Sequence, residues 1–117
     1  LMNLQELATA TQHRTPVKLV LVNNGRMGMV RQWQQLHYEG RYSHSYTAAL
    51  PDFVQVAQGF GWRARRVRER AELEGALADC LASPEPYFLD VVVEAEENCY
   101  PMIPADAGHH ELLLAPT

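Results

Sequence analysis

The apolar run Val17-Lys18-Leu19-Val20-Leu21-Val22, broken at once by Asn23-Asn24-Gly25, is the feature that most limits what this chain can fold into. Apart from Lys18 its side chains are apolar and rich in β-branched valine, so it reads as a strand buried on both faces of a parallel sheet. The polar turn that follows is of the kind found where such a strand reaches the carboxyl edge of its sheet, and open α/β sheets take their ligands at that edge. A side-chain amide held there offers a hard oxygen, and the turn's carbonyls offer more, a donor set suited to Mg²⁺ beside a phosphate. By itself an Asn-Asn-Gly sequence is just as readily a plain turn.

The rest of the chain supplies the layers around that strand. Asn3 and Glu6 have the spacing of a helix capping box, and Leu4, Leu7, Ala8 and Thr11 recur at helical spacing, which predicts a helix over 3–14 closed by Thr15-Pro16. From Gly28 to Tyr38, Met29, Val30, Trp33, Leu36 and His37 share one helical face and Arg31, Gln32 and Gln35 the other, so the apolar face is expected to turn inward. Residues 38–50 are polar and contain glycine, as a loop requires. Pro51-Asp52 then opens a helix that buries Phe53, Val56, Ala57 and Phe60. A short strand follows at 62–68, then a helix over 69–82 with the stripe Leu73, Ala76, Leu77, Cys80 and Leu81, ended by Ser83-Pro84-Glu85-Pro86. The nearly all-apolar segment 87–95 reads as a strand inside the sheet. Helix, strand, helix, helix, strand, helix, strand is the order of an α/β fold: a three-layer parallel sheet with helices on both faces.

Charge and composition exclude several functions. A net charge of −4 argues against nucleic acid as a main partner, and no apolar stretch approaches a membrane span. The first residues lack the pattern of a signal peptide, which leaves a cytoplasmic protein as the expectation. Residue 1 is Leu, so the amino terminus is processed, is preceded by further residues, or starts at Met2. Cys80 and Cys99 have neither disulfide nor metal-site spacing and are expected as reduced thiols. The arginines at 63, 65, 66, 68 and 70 alternate on a short strand and meet Glu69, Glu72 and Glu74, the pattern of a salt-bridged, solvated face. Glu94, Glu96 and Glu97 read as solvated acids, and His109-His110 lacks the further ligands of a zinc site. Ser43, His44 and Ser45 place hydroxyls beside a base, but neighbours on a loop are expected to point apart, and no nucleophile elbow is present.

The words NNGRMGMVRQWQ, YEGRYSH, LPDFV and YPMIPA, in this order, resemble the carboxy-terminal end of acetolactate synthase (acetohydroxyacid synthase) catalytic subunits, and the likeness runs from Asn3 to Leu113. These enzymes depend on thiamine diphosphate and Mg²⁺. The resemblance implies that the chain is one domain, the second half of a thiamine diphosphate-binding domain. It also implies that Asn24 is a side-chain metal ligand, with Arg26 adding its main-chain carbonyl. Met29 and Val30 would pack against the cofactor's rings, and Trp33 would shape the pocket for the second substrate. The helix over 3–14 would point its positive end at the diphosphate, and the tail after Asn98 would be a mobile cover. In the family a Gly-Asp-Gly stands roughly two dozen residues before the Asn pair. No such triplet occurs in this sequence, and a family glutamate that activates the cofactor belongs to another domain.

The expected function is therefore part of an acetolactate synthase, which condenses pyruvate with a second 2-keto acid in branched-chain amino acid synthesis, with these residues alone inactive in that reaction. Two other readings stand beside it: ester or lactone hydrolysis by a histidine-containing pocket, and a structural or subunit-contact module. A sheet of only about three parallel strands leaves an edge open, which predicts a homodimer or higher oligomer.

Overall fold

A computed structural model describes residues 2–114 and follows the order that the patterns predict: α1 (Glu6–Gln12), β1 (Lys18–Asn23), α2 (Gly28–His37), α3 (Phe53–Gly59), β2 (Arg63–Val67), α4 (Arg70–Ala82), β3 (Tyr87–Val92), and a 3₁₀ turn at His109–Glu111. The start at Leu1 lies outside the described residues. Those residues form two compact units, 2–25 with Ala48–Val93, and Arg26–Thr47 with 94–114.

In the first unit the strands make one parallel sheet in the order β1-β3-β2. From β1 the chain passes to the far edge, and it returns through α4 to the middle. The α1 and α3 helices cover one face and α4 the other. Reversing direction and face together keeps the two crossovers of one hand. Alternation along β3 divides its side chains between two cores. Tyr87 and Leu89 meet Val67, Ala76 and Cys80 on the α4 face, with Leu73, Leu77 and Val91 at the margin. Phe88 meets Leu7, Ala57 and Trp62 on the other face, where Leu21, Phe53 and Ala64 also pack. The Trp62 indole N–H donates to the Leu7 carbonyl at 3.0 Å and to Thr11 Oγ1 at 3.1 Å, which ties the start of β2 to α1. Gly61, at φ +83°, turns the chain out of α3 toward that strand.

Three expectations for this unit are corrected. β1 is not buried on both faces: it is an outer strand with Val22 67% exposed, because the α4 core draws on β2 and β3 and stops short of it. The strand closed on both sides is β3. Asn3 gives no side-chain cap; α1 begins at Glu6, which puts an acid in its first turn. Leu81 points outward, and Ala76 and Cys80 hold the core positions of α4.

The second unit inverts the amphipathic reading of α2. Arg31 and Gln32 are 3% and 1% exposed, whereas Met29, Val30 and Trp33 are 53%, 42% and 41% exposed. The cause is the segment after Val93, whose polar backbone must find partners once it packs on a helix. Arg31 Nη2 donates to the Glu96 carbonyl at 2.8 Å and to Asn98 Oδ1, while Nη1 reaches Gln35 Oε1 at 3.1 Å. Asn98 Nδ2 donates to the same Gln35 oxygen at 2.9 Å. Farther along, Met102 and Leu113 exchange N–H···O bonds of 2.9 and 2.8 Å, closing the segment back on itself. The loop before α3 is tied to α2 by Gln34 Nε2, which donates to the Ser43 carbonyl at 2.7 Å, and by Met27 N–H, which donates to the Ser45 carbonyl at 2.9 Å.

Candidate functional site

In the first unit the chemistry gathers at the carboxyl end of β1. Asn23 is the last residue of the strand, and its carbonyl accepts the Val93 N–H at 3.0 Å. Its side chain is used on both sides: Nδ2 donates to Asp90 Oδ1 at 3.0 Å, and Oδ1 accepts the Gly25 N–H at 3.1 Å. Gly25 sits at φ +63°, a conformation that glycine takes without strain. Of the two asparagines, Asn23 therefore fixes the turn, and Asn24 is carried on it, half-buried.

Asp90 is fully buried, and a carboxylate in that setting needs partners. The parallel register places it level with Arg66 of β2, on the face that carries Leu21 and Asn23. Arg66 Nε donates to Asp90 Oδ2 at 2.7 Å, and its other nitrogens reach Asp52 Oδ1 at 3.0 Å and Oδ2 at 3.3 Å. Asp52 in turn caps α3, accepting from Val54 N–H at 3.0 Å and Gln55 N–H at 3.2 Å. Opposite charges thus alternate from the start of α3 to the turn after β1. The Gln55 N–H, and after it the Arg66 guanidinium, hold the Asp52 carboxyl below the usual carboxylate range. The hydrogen bond to Asp90 raises Arg66 above the usual guanidinium range, against the cost of burial.

The arginines of β2 do not form one solvated face. Arg65 does pair with Glu72, at 3.5 Å, and also with Asp79, at 3.6 Å. Arg66 points to the opposite face and serves Asp90. The signal available in the sequence was the acid inside Tyr87-Phe88-Leu89-Asp90-Val91-Val92: a charge in the middle of a buried strand calls for a cation beside it.

In the second unit, Met29, Val30 and Trp33 line one open depression of about 410 Å³ with Gln34 and Tyr38. The Trp33 and His37 rings meet edge to face at 5.3 Å, which braces the indole at the rim. The Arg26 guanidinium lies over the Tyr46 ring at 4.6 Å, and the two residues are paired through their backbones. Ser43 and His44 do not point apart: Ser43 Oγ lies 2.7 Å from His44 Nδ1, because His44 adopts φ +55° and folds back over its neighbour. Both side chains are exposed. Glu94 is engaged locally, accepting from the Ala95 N–H at 2.8 Å and the Glu96 N–H at 3.3 Å. Among the described residues no group of three or more His, Cys, Asp or Glu side chains is set to hold a metal ion. No described helix is long and apolar enough to cross a membrane.

A family model described as "Thiamine pyrophosphate enzyme, C-terminal TPP binding domain" matches residues 1–91. The chain is 43% identical over 113 residues to the acetolactate synthase large subunit of Porphyra purpurea, a match that covers 96% of this chain and 19% of that protein. It is 41% identical over 113 residues to the acetolactate synthase isozyme 2 large subunit of Escherichia coli (strain K12), covering 97% and 21%. Among solved structures, the thiamine diphosphate-dependent 4-hydroxybenzoylformate decarboxylase of Rhodococcus jostii RHA1 matches with a TM-score of 0.71 at 26% identity, over 80% of this chain and 18% of that one. The chain spans about a fifth of the length of the curated relatives it matches.

Proposed function

Since the chain belongs to the C-terminal TPP-binding domain family of thiamine pyrophosphate enzymes, we propose that it forms the carboxy-terminal part of the cofactor domain of an acetolactate synthase large subunit. In that enzyme pyruvate loses carbon dioxide and its two-carbon unit joins a second 2-keto acid. The observation that carries the reading is the open depression in which Met29, Val30 and Trp33 converge, although α2 would ordinarily bury such a face.

The residues present fit the cofactor. The depression is lined mainly by apolar and aromatic side chains, a surface suited to the rings of thiamine diphosphate and to a small organic acceptor. Asn24 offers an amide oxygen and Arg26 a main-chain carbonyl, hard donors of the type that Mg²⁺ takes beside a diphosphate. When bound, thiamine diphosphate supplies the electron sink for cleaving and forming bonds next to a keto carbon. The chain's own share is binding and exclusion: Asn24 and Arg26 hold the metal, Met29 and Val30 keep water from the rings, and Trp33 limits the size of the acceptor. Because the sequence contains no Gly-Asp-Gly, these 117 residues alone form no acetolactate from pyruvate. The cytoplasm is the proposed setting.

Fluorescence tests the reading. Thiamine diphosphate with Mg²⁺ should quench Trp33 in a saturable way, whereas Trp62 is buried in the first unit and should contribute a constant signal. Quenching that disappears in Trp33→Phe supports the site. Quenching retained in that variant, or no quenching in the native chain, removes it. Acetolactate formed by the pure chain would overturn the proposed inactivity.

We further propose self-association through the outer edge of β1, which faces no other strand among the described residues and carries the exposed Val20 and Val22. A second reading of the chemistry, ester hydrolysis by the Ser43–His44 pair, is favoured only by their 2.7 Å contact. Ester turnover that falls in His44→Ala would carry it, and unchanged turnover would remove it.

A further inference from the structure

We propose that Asp90 is the positioning residue of the metal-side turn: it orients the Asn23 amide so that the turn through Gly25 adopts the one conformation that presents Asn24. The role of Asn24 in this inference rests on the function proposed above.

An asparagine side chain is ambiguous in its orientation. Its oxygen and its nitrogen occupy nearly the same shape, so only the surrounding hydrogen bonds decide which way it faces. A main-chain N–H at Gly25 can only donate, and an ionised carboxylate at Asp90 can only accept. Asn23 lies between them, and just one orientation satisfies both: nitrogen to Asp90 at 3.0 Å, oxygen to Gly25 at 3.1 Å. Arg66, 2.7 Å from the other Asp90 oxygen, holds that carboxylate in place, and Asp52 steadies Arg66 from the far side. Asp90 is fully buried, so water does not compete for Asn23 at this position. The turn is thereby set from β3, whose Asp90 is tied through Arg66 of β2 to Asp52 at the start of α3, and not by the turn residues alone.

Exchanging the two side chains gives a test that simple destabilisation cannot imitate. In Asp90→Asn, Arg66 claims the oxygen of the new amide, so its nitrogen faces Asn23, which can no longer donate to position 90 while accepting from Gly25. In the double variant Asn23→Asp with Asp90→Asn, the carboxylate at 23 accepts from Gly25 and from the amide at 90, whose oxygen accepts from Arg66. Every bond is restored with the polarity of the central pair reversed.

The readout is hydrogen exchange at the Gly25 amide, followed by NMR, with circular dichroism to confirm the fold and Mg²⁺–thiamine diphosphate titration alongside. Exchange is expected to quicken at least about tenfold in Asp90→Asn and to return to the native rate in the double variant. Asn23→Ala, which leaves Asp90 and Arg66 paired, should also quicken exchange and serves if Asp90→Asn does not fold. Unchanged exchange in Asp90→Asn or Asn23→Ala, or a loss that the double variant does not reverse, overturns the proposal. Asn24→Ala separates the two ideas: it should keep native Gly25 exchange. If the native chain shows the expected exchange pattern but no metal-dependent binding, the proposed role of Asn24 fails while Asp90 remains the device that sets the turn.

Discussion

Gln32 and Cys99 are joined twice: the Cys99 N–H donates to Gln32 Oε1 at 2.7 Å, and Gln32 Nε2 returns a hydrogen bond to the Cys99 carbonyl at 3.1 Å. A side-chain amide thus takes the place of a neighbouring strand for one residue of an otherwise irregular segment. Gln32 Nε2 also contacts Met102 Sδ at 2.9 Å, so one buried side chain spans the path from Cys99 to Met102.

Replacing Gln32 with Ala should loosen that segment selectively. It removes both hydrogen bonds to the Cys99 backbone, a loss on the order of 0.5–1.5 kcal/mol for each. Hydrogen exchange should quicken at Cys99 and Met102 while Leu89 in the sheet stays protected. Equal loss of protection at both places would mean that Gln32 supports the whole fold instead.

Asp52 makes stability depend on pH. Its folded pKa lies below the unfolded value, so its contribution is fully present above the ordinary carboxylate pKa and is lost as pH falls through the lowered one. Asp52→Asn keeps a capping oxygen but cannot pair ionically with Arg66. The native chain should melt higher than this variant above about pH 5, and the difference should shrink on acidification. A difference that stays constant down to strong acid would contradict the assignment.

Leu89 and Leu81 should respond very differently to truncation. Leu89 is wholly buried in β3, and Leu89→Ala should cost about 2–5 kcal/mol in denaturant unfolding. Leu81 is 71% exposed, and Leu81→Ala should stay within about 0.5 kcal/mol of the native value. Similar losses at the two sites would place Leu81 in the core after all.

Self-association through β1 predicts that Val22→Lys shifts the chain toward monomer in light scattering over a concentration series, since a charge on an outer strand opposes edge pairing. A native chain that is already monomeric at high concentration would remove the proposal.

Local patterns carried the order of elements and the parallel sheet, because a nearly all-apolar run such as Tyr87–Val92 and turn signals such as Ser83-Pro84-Glu85-Pro86 depend little on context. What they did not carry was decided by long-range packing. The valines of β1 look the same on an outer strand as on an inner one. Arg31 and Gln32 look like a solvated face until a backbone segment far along the chain needs donors and acceptors. Asp90 lies hidden in an apolar run, and its partner Arg66 stands among arginines that face the other way. Periodicity pointed the face of Met29, Val30 and Trp33 inward, whereas it lines an open depression.

The most direct test of the account is calorimetric titration of thiamine diphosphate with Mg²⁺ into the chain, with Asn24→Ala beside it. The account predicts weak, saturable binding that needs Mg²⁺ and disappears in the variant. Binding that is equal in the two proteins, or no binding to the native chain, would contradict it.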